Sequence, residues 1–251
     1  MALANKATTE VPQRQGTRPT RQRSLPIISL VLGVLAFASI MIAIPMAFLY
    51  AQTDVVQGPA QRIFYFHVPV AAIGMFAFVV VAVASIMYLW KRDERWDWAA
   101  RASAEIGTVF ITLTLITGSI WGRTTWGTWW SWDPKLTASL VLWFMYVGYL
   151  MVRSYMGRTS ASANAGAVIA IIGVFDVPII YEAVNLWRGL HPAAQVGVAG
   201  ALPSDVVLTL LVAFAGFALL YGFLMIQLYQ LQKVQTLAQR LRATVEYDIY
   251  V

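Results

Sequence analysis

The sequence predicts an all-α integral membrane protein, a bundle of six transmembrane helices with both termini in the cytoplasm and a tryptophan-rich outer loop. Composition is the first observation, because the 251 residues are 59% apolar and only 12% charged, whereas soluble domains are roughly a quarter charged. Length is the second: six apolar runs each approach the roughly 20 residues that cross a bilayer. The third is the distribution of basic residues, most of which lie on one side of these runs.

The composition also excludes several kinds of site. The chain has no cysteine, so disulfides, thiolate metal sites and thiol–disulfide chemistry are excluded. The formal net charge is +6, but the basic residues follow the membrane side and form no single patch, which argues against nucleic acid as a partner. No Walker motif is present, so any use of ATP must come from another subunit.

The amino-terminal part is expected to be a tail followed by an uncleaved first span. Residues 1–24 are polar, with five basic residues against one acid, and predict a disordered cytoplasmic tail. The apolar run at 26–50 is longer than a signal-peptide core of roughly 7–15 residues, and Pro45 is a candidate kink within it. The bundle as a whole is assigned to 25–230. Its remaining spans are expected at 69–90, 102–120, 134–152, 165–186 and 205–229.

Beyond the last span, residues 231–251 are expected to continue as a cytoplasmic helix or tail. Apolar residues recur there at spacings of three and four, which is typical of one helix face. This apolar stripe begins just before residue 231 and consists of Leu228, Leu231, Val234, Leu237 and Leu241. Two interpretations stay open: a helix that lies on the membrane surface or packs on itself, and a docking site for a cytoplasmic subunit.

The orientation follows from the basic residues. Fourteen of the 18 lie in the tail, in two short loops and at the carboxyl end, all on one side of the spans. The other four are Arg62, Arg123, Lys135 and Arg188. The positive-inside rule therefore places the loops at 51–68, 121–133 and 187–204 on the outer side.

The outer segment 121–137 contains half of the ten tryptophans of the chain. They are Trp121, Trp126, Trp129, Trp130 and Trp132. Tryptophan collects at membrane interfaces, which explains one or two such residues but not five. Flat indole faces, with Arg123 and Lys135 available for anionic groups, suit a large, flat, partly anionic ligand.

Asp133 and Pro134 predict where the fourth span begins. Asp is a favoured N-cap and Pro a favoured first helical residue, which is a sufficient structural explanation for the pair. The same helix start points backbone N–H groups towards the outer side, where an anionic group of a ligand can lie.

Both histidines of the chain fall on the outer side, His67 before the second span and His191 after the fifth. An interfacial histidine is often only a polar tip, so paired ligation is one of two interpretations. Two imidazoles can supply both axial positions of a haem iron while indoles cover the macrocycle and basic side chains meet its propionates. Without a nearby carboxylate or thiol they make a poor zinc site.

Two acids lie at membrane depth in the fifth span, Asp176 near its middle and Glu182 nearer its outer end. Ionisable residues at such depth are candidates for function because burying them is costly. Their spacing of six keeps them off a common helix face. A proton-coupled transporter using both acids stays an alternative function, although a relay would want further intramembrane partners and the other candidate is Glu105, near the start of the third span.

The pattern Trp121-Gly122, Trp126-Gly127, Trp129-Trp130 and Trp132-Asp133, followed by Leu136 and Thr137, resembles the WWD signature of the haem-handling membrane proteins of cytochrome c biogenesis. Six spans and one outer histidine on each side of this segment are similar to the CcmC branch, over roughly residues 25–230. The CcmF-like and CcsA-like haem lyases are longer or carry more spans and histidines. The stretch 187–192 departs from the Trp-Asn-Thr-Leu-His form of the family, and Asp176 stands where the family has Asn, so roles for Arg188 and Asp176 stay open.

The resemblance implies a delivery protein of the bacterial inner membrane, not an enzyme in the turnover sense, with its site facing the periplasm. It implies haem b as the carried ligand, with His67 and His191 as axial ligands of the iron. The WWD platform would be Trp121, Arg123, Trp126, Trp129, Trp130, Trp132, Asp133 and Lys135. Implied partners are the haem chaperone CcmE, the ABC transporter subunits CcmA and CcmB, and the small membrane protein CcmD. A haem lyase that attaches haem to apocytochrome c is the competing enzymatic hypothesis.

Overall fold

The computed structural model describes residues 24–187, 189–192, 196, 198 and 200–250. The tail expected at 1–24 lies outside the described residues up to Ser24, where the first helix begins, and so does Arg188. Within the described part of the chain the regular structure is helical, and the one β-type pairing is an isolated bridge between Asp54 and Gly58.

Among the described residues, six helical segments are long and apolar enough to cross a membrane, which confirms the predicted all-α fold class. The helices are α1 (Ser24–Pro45), α2 (Phe64–Lys91), α3 (Glu94–Trp126), α4 (Pro134–Tyr155), α5 (Ser160–Val174), α6 (Asp176–Leu186) and α7 (Ser204–Tyr250). A π-helical turn at Met46–Tyr50 extends α1 after Pro45, and a 3-10 turn at Pro59–Ile63 leads into α2. Six consecutive crossings return the chain to the side where it began; that this side is the cytoplasm stays a prediction from the charges.

Helix α3 ends later than the apolar run that predicted it. The third span was expected to stop at residue 120, but the helix continues to Trp126 and so includes the first two tryptophans of the outer segment. Gly127, with φ of 77°, ends it in the left-handed conformation that glycine adopts without strain. The end of α3 is therefore determined by its capping residue, whereas the apolar run predicts only the part of the helix that crosses the membrane.

The fifth span is two helices, α5 and α6, which meet at Phe175. Pro178 accounts for the break, because proline has no N–H to donate to the carbonyl of Val174 and its ring crowds that carbonyl. Asp176 is the first residue of α6, so one of the two acids at membrane depth stands at this break.

The core of the bundle lies between α2, α3, α4 and the broken span. The rings of Phe78 and Tyr146 stack with centroids 3.7 Å apart, and Leu142 and Ile111 pack in the same buried cluster. Gly107 allows this approach, because a Cβ there would lie 2.6 Å from the ring of Phe78. Helices α2 and α3 therefore form the closely packed pair that holds one side of the site.

Helix α7 is one continuous helix that carries the chain out of the bundle, as expected for the segment after the last span. Leu228 packs in the core, whereas Leu231, Val234, Leu237 and Leu241 are exposed. On the other face Gln232 is buried and its amide donates to Glu105 Oε1 at 2.9 Å. Beyond Leu228 the apolar stripe thus points away from the bundle, and both interpretations of it stay open.

Candidate functional site

His67 lies in the first turn of α2, with its side chain inside the bundle and only 8% of the residue exposed. Its Nδ1 is 2.9 Å from the hydroxyl oxygen of Thr117 on α3. Gly118, the next residue of α3, lets the ring lie against the helix, because a Cβ there would be 3.0 Å from His67 Cε1. The imidazole is therefore held in place between α2 and α3.

His191 follows α6 in a segment that is fastened to the start of α4 by Asp133. One carboxylate oxygen of Asp133 accepts the N–H of Lys135 at 3.0 Å and caps α4, as the Asp-Pro pair predicted. The other oxygen accepts the N–H of Leu190 at 2.7 Å. Gly189 is required there, because a Cβ would lie 1.9 Å from that oxygen. Asp133 thus performs two structural tasks, and a direct contact with a ligand stays a prediction.

The fold brings both histidines to one cavity. His67 approaches from α2 and His191 from the segment after α6, and Lys135 and Trp130 line the same space. The space in it that water molecules can occupy is about 70 Å³, and the wider empty volume of about 560 Å³ includes open solvent. The rest of the lining comes from Ala71, Met75, Ile111, Thr114, Leu115, Gly118, Ser119, Leu136, Ser139 and Ile180. It is an apolar cleft with a few convergent polar groups, the usual character of a small-molecule site.

Each histidine also has a tryptophan at its side. Trp121 lies edge-on to His67, with ring centroids 5.6 Å apart and an interplanar angle of 74°. Trp126 lies edge-on to His191 at 5.4 Å and 63°. The indole N–H of Trp121 donates to Gln57 Oε1 at 2.9 Å, which fixes the indole from the loop before α2. Each of these two indoles therefore restricts the orientation of the imidazole that it contacts.

The remaining residues of the predicted platform lie further out. Trp132 is 76% exposed and meets the edge of Trp130, with centroids 5.8 Å apart. Trp129 is 59% exposed, and the Arg123 guanidinium donates to the carbonyl of Gly127 at the end of α3. Within the described part of the chain, Trp129, Trp132 and Arg123 are not among the residues that line the cavity. Their predicted contacts with a ligand stay predictions.

The protonation of His191 suits metal ligation. Burial lowers the pKa of His191 to about 4, and the positive charge of Lys135 acts in the same direction, against a smaller opposite effect of Asp133. The imidazole is therefore neutral at pH 7, with a nitrogen lone pair available to a metal. Its Nδ1 is buried and has no hydrogen-bond partner among the described residues.

The acids of the fifth span lie away from this cavity lining. Asp176 Oδ2 is buried without a partner among the residues that the structure describes. Glu182 accepts a hydrogen bond from the side-chain amide of Asn185 at 2.8 Å. Neither acid belongs to the described lining of the cavity that the histidines share.

Sequence reasoning missed several residues of the site. Thr117, Gly118 and Ser119 lie within the expected third span, where they are indistinguishable from ordinary small residues of a membrane helix. Ser119 donates to the carbonyl of Trp129 at 2.7 Å and so fixes the outer segment to α3. The sequence feature that could have identified them is their position, two to four residues before Trp121.

The donor set indicates the class of ligand. No group of three or more His, Cys, Asp or Glu side chains comes together as a metal site in the described ranges. Two imidazoles alone suit a metal that arrives with its own equatorial ligands, as the iron of haem does. Trp130 and Lys135, in the same cavity, offer a flat ring and a cation to such a ligand.

Comparison with known proteins gives the same family as the resemblance of the tryptophan-rich segment. Residues 16–245 match the family model described as CcmC, Heme exporter protein C. Heme exporter protein C of Bradyrhizobium diazoefficiens is 39% identical over 173 residues, which cover 68% of this chain and 66% of that protein. The Haemophilus influenzae protein of the same name is 34% identical over 193 residues, 76% of this chain and 78% of that protein. A putative cytochrome c biosynthesis ccmC-like mitochondrial protein of Marchantia polymorpha is 32% identical over 185 residues, 73% and 78% of the two chains.

Proposed function

This chain belongs to the heme exporter protein C family, and we propose that it binds haem in the cavity between His67 and His191 and passes it to the chaperone CcmE. The observation that carries the proposal is that the two histidines, 124 positions apart in the sequence, line a single cavity. Nothing local in the sequence requires their meeting, so the fold itself supports a joint role.

In this proposal the two imidazoles take the axial positions of the haem iron. His67 is fixed by Thr117 and Gly118, and His191 by the attachment of its segment to Asp133. Trp130 faces the porphyrin, and Lys135 meets a propionate, because both line the same cavity. Haem b is the form we propose, following the family resemblance; the chain has no cysteine to form a thioether bond to it.

The surroundings of the cavity are suited to the docking of a partner protein. The exposed Trp129 and Trp132 leave an aromatic surface beside the cleft, on which a haem-accepting protein can dock. We propose that CcmE docks there on the periplasmic side of the inner membrane. CcmA, CcmB and CcmD would complete the assembly, and CcmA and CcmB would supply the ATP-dependent step for which this sequence has no motif.

The first test is the absorption spectrum of the detergent-purified protein and of His67→Ala and His191→Ala variants. We expect wild-type protein to carry six-coordinate low-spin haem and each variant to lose it or shift to high spin. Asp176→Asn and Glu182→Gln serve as controls, because both acids lie outside the described cavity lining, and they should retain the wild-type spectrum. Wild-type protein that stays free of haem, even when expressed with haem and its partners, would refute the proposal.

The second test separates delivery from attachment. Haem-loaded protein is mixed with purified chaperone or with apocytochrome c alone. We expect haem to move to the chaperone, whereas covalent product with apocytochrome alone would establish the lyase in place of the carrier. Loss of delivery in Asp176→Asn with an unchanged haem spectrum would favour the ion-coupled alternative.

A further inference from the structure

A directional chain of hydrogen bonds begins at His67 and ends on the backbone of α3. Thr117 Oγ1 lies 2.7 Å from the carbonyl oxygen of Leu113 and 3.3 Å from that of Thr114. Neither carbonyl can donate, and two oxygens 2.7 Å apart repel each other unless a hydrogen lies between them, so we assign the single hydroxyl hydrogen of Thr117 to the backbone. The hydroxyl oxygen then has only a lone pair to offer to His67 Nδ1, 2.9 Å away.

The direction of this chain determines where the imidazole proton lies. A nitrogen that faces a lone pair must carry the hydrogen, so His67 Nδ1 is the donor. In a neutral imidazole the other nitrogen, Nε2, then holds the free electron pair. The ring is also confined by position, with Gly118 against Cε1 and Trp121 at its side.

We propose that Thr117 is a positioning residue that fixes His67 as its Nδ1–H tautomer and thereby presents the Nε2 lone pair to haem iron. The inference rests on the proposed haem ligation by His67. Histidines that bind metals generally donate their second N–H to a neighbouring acceptor, which orients the ring and makes it a stronger ligand. Here a threonine hydroxyl supplies that acceptor.

A merely structural role for Thr117 is the competing explanation. Threonine hydroxyls in membrane helices commonly bond the carbonyl four residues earlier, and Thr108 does so on the same helix at 2.8 Å from the carbonyl of Ala104. Thr108 is therefore the matched control. Its replacement by valine removes the same type of backbone bond but no acceptor of a histidine proton.

The first readout needs no haem. His191→Ala leaves His67 as the sole histidine of the chain, so ¹⁵N-histidine NMR in detergent reports its tautomer directly. We expect a single Nδ1–H form with Thr117 and in Thr117→Ser, which keeps the acceptor. Thr117→Val, similar in shape, should give a mixture of tautomers, and Thr108→Val should not. An unchanged tautomer in Thr117→Val would overturn the inference.

The second readout uses haem-loaded protein with both histidines present. Thr117→Val should bind haem about 10- to 100-fold more weakly, the usual effect of losing such a partner. Its reduction potential should rise, because a less electron-rich imidazole stabilises ferric iron less. Thr117→Ser should restore both values. Equal losses in Thr117→Val and Thr108→Val would show a structural role only and would refute the inference.

The two readouts separate the possible failures. If haem binds through His67 but Thr117→Val changes neither the tautomer nor the affinity, this inference fails and the proposed function stands. If wild-type protein never binds haem, the proposed function fails, and the role of Thr117 towards iron fails with it, whatever the NMR spectrum shows.

Discussion

At the scale of single residues, Asp133 shows how one side chain can position another that is 58 positions away. Its carboxylate caps α4 through the N–H of Lys135 and holds the segment of His191 through the N–H of Leu190. A carboxylate that accepts two backbone N–H groups is well satisfied although buried. The WWD signature therefore ends in an aspartate whose structural role here is to place a histidine.

Asp133→Ala should release His191 without removing His67. Loss of the N-cap lowers the free energy of unfolding by about 1 kcal/mol. The segment that carries His191 also loses its attachment to α4. We expect haem-loaded protein to shift from six-coordinate low spin towards five-coordinate high spin, with His67 as the remaining ligand. Absorption and electron paramagnetic resonance spectra measure this shift.

Gly189→Ala tests the same attachment from the other side. A Cβ at 189 would meet Asp133 Oδ2 at 1.9 Å, so the segment must move and the spectrum should shift as in Asp133→Ala. Gly148→Ala is the control, because a Cβ there meets nothing within 4 Å on a helix where alanine is favoured. A wild-type spectrum in Gly189→Ala would contradict the role given to this contact.

At the scale of elements, the broken fifth span sets the position of one wall of the cavity. Ile180, on α6, lines the cavity, and His191 follows the end of the same helix. Phe175 itself has helical dihedral angles (φ −65°, ψ −20°), so the interruption between α5 and α6 is local. We therefore expect Pro178 to act on the site only through the position of α6.

Pro178→Ala should weaken haem binding while leaving the protein folded. The restored N–H can donate to the carbonyl of Val174, which favours one continuous helix and displaces Ile180 and His191. Pro45→Ala is the matched control, since Pro45 lies within α1, which packs mainly against α7. Titration with haem measures both affinities. Equal affinities for Pro178→Ala and wild type would show that the break is not needed for the site.

At the scale of the whole molecule, polar groups gather at both ends of the bundle. The end opposite the histidines contains a buried ion pair, in which Arg153, 1% exposed, donates to Asp97 Oδ2 at 2.6 Å between α4 and α3. Arg158, in the turn between α4 and α5, donates to the side-chain oxygen of Gln232 at 2.7 Å and so joins that turn to α7. These contacts hold the helices together far from the cavity.

Arg153→Met should therefore lower stability and leave haem ligation intact. Removing one partner of a buried pair costs about 3–5 kcal/mol, because the other charge is left uncompensated. Adding Asp97→Leu should recover much of the loss, since an apolar pair of similar volume can replace a buried ion pair. Thermal unfolding in detergent measures the first effect and the haem spectrum the second. A changed spectrum in Arg153→Met would show that the two ends are coupled.

The number of spans and the family could be read from the sequence, and the sequence also predicted that both histidines lie on the same side of the membrane. These follow from local information: an apolar run must match the bilayer thickness whatever surrounds it, and five tryptophans in twelve residues form a recognisable pattern. The cap of α4 was predictable for the same reason, because Asp133 and Pro134 act on the residues next to them.

Which of those residues form the cavity depended on how the helices pack together. The sequence grouped the five tryptophans together, but the structure separates them. Trp121 and Trp126 lie beside the histidines, and Trp130 lines the cavity. Trp129 and Trp132 are exposed.

Thr117 could not be identified from the sequence, because its partner His67 is 50 positions away and helical periodicity relates only residues in neighbouring turns. Contacts between distant segments depend on where helices end and break, and here Gly127 and Pro178 set those points.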